Sequence, residues 1–273
     1  MERETNVHGA GLGETLATAL GECSGVTYVI DPWVGFLEAL AAAGREHDAD
    51  LPVVRVLARA ETLRAARKDF TVGSKLADLV EAGDVSLRAA DDVSESTLFT
   101  DGDRLFGPVA VGEHTGALRE TAESFVGGVY ETLDGQWADA ESFDLRTPGR
   151  TTIRETMTDE FGATAREDFE TVVDAIEGDR SSRELDEVIV SLLVAAKNEL
   201  LLYDVSKWGE DLGVASKATF SRRKNDLEEM DVVETEKSPT DVGRPRQRLT
   251  LADDRHRDAD ADQLAVLAQN VLH

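Results

Sequence analysis

The chain has 273 residues, of which 41% are hydrophobic and 31% charged, and a formal net charge of −26. That length and apolar content allow two domains with cores of their own and exclude a wholly disordered acidic chain. One cysteine, Cys23, excludes an intrachain disulfide and a cysteine metal cluster, and no apolar run is long enough for a bilayer span, so a cytoplasmic protein without membrane contact is expected.

In chain order, residues 1–19 form a segment of small residues that predicts a short helix ending near Gly21. Gly9, Gly11 and Gly13 spell GxGxG, but no strand is predicted before them, so a dinucleotide site is not inferred. From Val26, short β-branched runs alternate with amphipathic stretches: VTYVI, WVGFLEALAAAG, VVRVLA, ETLRAARKDF with TVGSKLADLVEAG, then VSLRAA. This alternation predicts parallel strands joined by helical crossovers. Residues 96–111 read as a hairpin around Asp101-Gly102-Asp103, which completes an α/β sensor-like domain over 1–112. Open α/β sheets bind ligands beyond the carboxyl ends of their strands, so Asp31 and Trp33, just after the first strand, are candidate contacts for a small metabolite effector. Trp33 equally suits a place in the core.

A helical pattern resumes at Leu118, breaks at residues 146–150 around Pro148-Gly149, and continues as two short amphipathic helices near 152–161 and 165–177. Residues 113–180 are therefore expected to be a helical connector, with apolar residues from Phe125 to Trp137 offering a surface for a homodimer.

The last domain is placed at 181–252, ahead of an acidic tail, 253–273, with a short terminal helix in LAVLAQNVL. A core helix is predicted over 185–202 and a second over 205–212. The turn Gly213-Val214-Ala215 follows, then a third helix capped by Ser216. VVETE and RQRLTL read as paired strands around the loop SPTDVGRP. Helix, helix, turn, basic helix and hairpin in that order predict a winged helix-turn-helix, whose third helix enters a DNA major groove.

On the third helix Ser216, Lys217, Thr219, Ser221, Arg222, Arg223 and Lys224 are the candidate DNA contacts, and on the wing Arg244, Arg246 and Arg248. Phe220, Leu227 and Met230 are spaced to face the core, leaving Lys217, Ser221 and Lys224 on one exposed face. Charge placement agrees. Residues 207–248 hold nine basic and nine acidic side chains, so the whole net charge lies outside this neutral island. The acidity of the remainder fits a halophilic origin, because molar salt shortens the Debye length to about 3 Å and makes self-repulsion tolerable.

The stretch LLYDVSKWGEDLGVASKATFSRRKNDLEEMDVVETEKSPTDVGRPRQRL resembles haloarchaeal transcriptional regulators of the TbsP type, and the likeness extends over most of the chain. The resemblance implies an archaeal winged-helix regulator with an N-terminal regulatory domain, linked to the sugar-responsive TrmB-type regulators and central carbon metabolism. A metabolite-responsive, sequence-specific regulator of double-stranded DNA is thus the expectation. The alternative is an adaptor whose winged helix contacts protein. The five histidines show no metal-ligand spacing such as HExxH, and neither a cofactor nor catalysis is expected.

Overall fold

The computed structural model describes residues 6–46, 52–91, 93, 96–112, 114–178, 186–238, 246–253 and 260–272. The chain divides into two compact units, Met1–Gly149 and Arg150–His273.

The first unit runs β1 (Val7–Gly9), α1 (Leu12–Gly21), β2 (Val26–Ile30), α2 (Val34–Glu46), β3 (Val53–Ala58), α3 (Ala60–Lys68), α4 (Phe70–Ala82), β4 (Val85–Ala89), β5 (Leu98–Thr100), β6 (Leu105–Val111), β7 (His114–Glu120), α5 (Glu123–Asp139) and β8 (Glu141–Ser142). Its sheet has the order β1-β7-β6-β5-β2-β3-β4-β8. Among the described residues, only β2, β3 and β4 pair in parallel, as the alternation of strands and helices predicts.

Successive residues of a strand point to opposite faces, and both faces of the central strands are covered. Val29, Val54 and Val56 face one way and pack with Leu16, Leu20, Phe36, Leu40 and Leu76 of α1, α2 and α4. Tyr28, Ile30 and Leu57 face the other way and meet Leu133 and Trp137 of α5. Beneath α5, the Tyr28 hydroxyl donates to Asp134 at 2.6 Å and accepts from Arg55 at 2.7 Å.

Three expectations for this unit are corrected. A strand does precede the glycine triplet, but β1 is an antiparallel edge strand and not the start of a parallel βαβ unit. Gly9 is needed for close approach instead, since a Cβ there would lie 2.7 Å from the Thr15 amide nitrogen. Secondly, residues from Leu118 do not begin a helix: β7 continues to Glu120, pairing β6 on one side and β1 on the other. The expected boundary at 112 therefore falls inside a β-hairpin, because Val111 pairs with His114. Finally, Val126, Leu133 and Trp137 are buried within the unit, so most of the apolar face expected for pairing is already used.

The second unit comprises α6 (Arg150–Phe161), α7 (Ala163–Gly178), α8 (Glu187–Lys197), α9 (Leu202–Leu212), α10 (Lys217–Glu229), β9 (Val233–Ser238), β10 (Arg246–Leu251) and α11 (Ala261–Leu272). Every residue from Val188 to Ala196 is buried, so α8 is the central core helix. It is shorter than its apolar run, 185–202, predicts. Asp186 caps its start, accepting from the Val188 and Ile189 amides, and Glu199 adopts φ 52°, which turns the chain so that α9 begins at Leu202. Helices α6 and α7 are joined by Arg150, which is buried and paired with Glu177 at 2.5 Å and Asp174 at 2.7 Å. Asp168 of α7 accepts from Lys197 at 2.5 Å and from Asn198 at 2.8 Å, securing α7 to the end of α8. The terminal helix α11 packs on α7 and α8 through Leu264, Ala265 and Ala268.

Strands β9 and β10 pair antiparallel from Val233↔Leu251 to Ser238↔Arg246. Leu201 bridges to Arg248, and the Leu249 amide donates to the Leu200 carbonyl at 2.9 Å, so the hairpin is fastened to the segment ahead of α9. The sequence α8, α9, α10, hairpin is a winged helix-turn-helix. The loop between the strands, with Arg244, lies outside the described residues.

Candidate nucleic-acid interface

Helix α9 ends at Gly213, whose φ of 82° is a left-handed conformation that glycine adopts without a Cβ penalty. The chain reverses there, and Ser216 starts α10 by accepting from the Thr219 amide at 3.2 Å. The two helices cross at very close range. A Cβ on Gly209 would lie 2.3 Å from the fully buried Phe220 ring. On its other side α9 is held to α6, where Trp208 donates to Thr156 at 3.1 Å and meets the Phe161 ring edge-on at 5.8 Å.

Phe220, Lys224 and Leu227 form the inward stripe of α10. The opposite face presents Ala218, Ser221, Arg222 and Asn225, all exposed. Two expectations change. Lys224 is buried and bonded to Glu228 at 2.7 Å, which in turn accepts from Thr235 at 2.8 Å, so it ties α10 to β9. Met230, expected in the core, is 57% exposed because α10 ends at Glu229. Sequence reasoning passed over Ala218 and Asn225. Their signal was their spacing from Ser221 and Arg222, three and four residues away along the helix.

Most cations on this side have carboxylate neighbours. Lys217 pairs with Glu210 at 2.7 Å, and that hydrogen bond holds the Glu210 carboxyl below its usual range. Arg223 reaches Asp186 at 2.7 Å and Asp226 at 3.5 Å, so the α8 cap is also an anchor for α10. Arg246 lies 3.6 Å from Asp204 with its guanidinium over the Tyr203 ring, and Arg248 donates to the Glu199 carbonyl at 2.9 Å with the Glu199 carboxylate at 3.9 Å. Arg222 and Lys237 are exposed, and among the described residues neither has a carboxylate partner.

A groove of about 780 Å³ brings these elements together, lined by Tyr203 and Ser206 of α9, Lys217 and Ser221 of α10, and Lys237 and Arg246 of the wing. Thus Lys217, Ser221 and Arg246 share one concave surface. Ser216 and Thr219 serve the α10 cap.

In the first unit Asp31 ends β2 with φ 43° and pairs with Arg59, at the end of β3, at 3.0 Å. Its carbonyl accepts from Thr97 at 2.6 Å. Trp33 is 39% exposed and packs edge-on against Phe36. Cys23 is partly buried, and burial pushes its thiol up to about 12.

The class is that of a two-unit protein in which an α/β unit is followed along the chain by a winged helix-turn-helix. Residues 4–148 match the family "Transcriptional regulator TbsP-like, N-terminal", and residues 149–269 match "Transcriptional regulator TbsP-like, C-terminal HTH domain". The chain belongs to the TbsP-like transcriptional regulators. Among solved structures it is similar to TrmBL2, described as an archaeal chromatin protein with a novel mode of DNA binding, at 15% identity and a TM-score of 0.35. That match covers 52% of this chain and 55% of TrmBL2, about half of either. No curated protein matches the chain. No helix among the described residues is long and apolar enough to cross a membrane.

Proposed function

We propose that the second unit binds double-stranded DNA in a sequence-dependent way, with α10 in the major groove. The observation that carries this is the outward face of α10: Ala218, Ser221, Arg222 and Asn225 are exposed in its first turns, without a carboxylate among them. Arg is matched to guanine and Asn to adenine by paired hydrogen bonds, and an alanine methyl suits thymine. Lys217, Lys237 and Arg246, around the groove, are placed for phosphates, which fix register without reading sequence. Arg223 and Lys224 are assigned to holding α10 in position, and Arg248 to holding the wing.

The test is a gel shift on genomic fragments at high potassium. Arg222→Ala is expected to lose preference for the retained fragments by about ten- to a hundredfold, on the scale of a lost bidentate base contact. Equal retention of wild type and Arg222→Ala rejects α10 as the reading element.

The chain acts, in this reading, as a homodimer on a two-fold operator in a halophilic cytoplasm, where the acidic surface is screened. Its first unit senses an anionic metabolite of sugar or central carbon metabolism beyond the ends of β2 and β3. There Arg59 is 42% exposed and Asp31 is held in an uncommon backbone conformation.

A further inference from the structure

Arg222 and Lys237 differ from the other cations of the DNA-facing surface in having no described carboxylate partner, whereas Lys217 is matched by Glu210, Arg246 by Asp204 and Arg248 by Glu199. These acids come from α9 and the segment just ahead of it, so one short stretch of chain supplies all three competitors. We propose that Glu210, Asp204 and Glu199 compete with DNA phosphate for the cations of this face, so that DNA binding proceeds with little net release of salt. The proposal rests on the DNA reading above and specifies how that site responds to ionic strength.

Charge conservation gives the reason. An unpaired lysine or arginine that meets a phosphate sets free the cation condensed on that phosphate, and the observed affinity falls with salt by about 0.9 logarithmic units per contact. A lysine that already faces a carboxylate brings that carboxylate to the DNA with it. The local sum of lysine, glutamate and phosphate is then negative, and a solution cation must take the place of the one released. The two exchanges cancel whether the protein's own ion pair is strong or weak. Of the three cations assigned to phosphate, Lys217 and Arg246 face carboxylates, and Lys237 alone contributes a full release.

The experiment measures binding of the full chain to a fluorescein-labelled 30-base-pair duplex of mixed sequence, by anisotropy, from low to high KCl. Wild type is expected to show a slope of log affinity against log salt near −1, so that affinity falls about fourfold for a fourfold rise in salt. Three uncompensated contacts would give a slope near −2.7 and a fall of about fortyfold. Glu210→Gln and Asp204→Asn should each steepen the slope by about 0.9 and tighten binding at low salt. Glu61→Gln, which removes an exposed carboxylate from α3, should leave the slope unchanged. Circular dichroism of each variant verifies that it is folded.

A wild-type slope near −2.7 overturns the proposal, as do unchanged slopes in both Glu210→Gln and Asp204→Asn or an equal steepening in Glu61→Gln. Those outcomes leave DNA binding intact. Absence of binding by wild type and by both carboxylate variants at every salt concentration instead overturns the DNA reading, and this proposal with it.

Discussion

At the scale of single residues, the geometry of the winged helix turns on a few side chains that touch no ligand. Gly209 faces the Phe220 ring with no room for a methyl group. Gly209→Ala is expected to cost about 1–3 kcal/mol, because the ring is fully buried and must shift; urea unfolding of the variant measures it. Glu187, the first residue of α8, is a second such group. Burial raises its carboxyl from 4.5 to about 7; the Asp186 carboxylate adds to this, while its own backbone hydrogen bond and Arg223 oppose it. A carboxyl with a higher pKa folded than unfolded binds more protons in the folded state between those values. The contribution of Glu187 to stability should therefore fall as pH rises from about 4.5 to about 7 and stay level above that. Unfolding midpoints of Glu187→Gln and wild type across that range give the test: the variant should show a shallower decline. Neither residue was marked in the sequence, since close approach and desolvation arise only once distant segments meet. Lys224 differs, because its i,i+4 spacing to Glu228 was visible beforehand and is the pairing that removes it from the exposed set.

At the scale of elements, helices of the last unit were legible to within a few residues, because caps and left-handed turns are local: Ser216 and Gly213 bracket the turn where the sequence puts them. Strand β7 was not legible. HTGALRE lacks a β-branched alternation and is a strand because it fills the place between β6 and β1. Its discovery moves the expected pairing surface. Phe106 and Ala117 of the β6–β7 ribbon are buried in the core shared with α1, while Val109, Val111 and Leu118 lie on the opposite side and are 41%, 68% and 57% exposed. If the chain pairs as the proposed homodimer, this face is the candidate for the contact. Val111→Asp with Leu118→Asp is expected to convert a dimer to a monomer in light scattering, without loss of helical or sheet signal in circular dichroism. Dimers that persist in the variant would reject the assignment.

At the scale of the whole molecule, the sequence suggests a sensor-like unit, a helical connector, a winged unit and a tail, whereas the contacts gather the chain into two units that part at Gly149, a position legible only as a break between helices. Composition does not report that α5 is spent on covering the sheet; only its contacts with Tyr28 and Ile30 do. If the first unit senses an anionic metabolite, Arg59→Ala should abolish the calorimetric heat of binding a sugar phosphate that wild type shows, and Trp33→Ala should reduce it. Heats unaltered in both variants place the effector elsewhere. The crossing of α9 and α10 has a final consequence. Because Gly209, Phe220 and Trp208 fix the pose of α10 from inside, the four outward positions 218, 221, 222 and 225 contribute nothing to that pose. They form an exchangeable set. Related proteins could diverge in the genes they control by changing these four side chains alone, and a designer could retarget the protein there without rebuilding its frame.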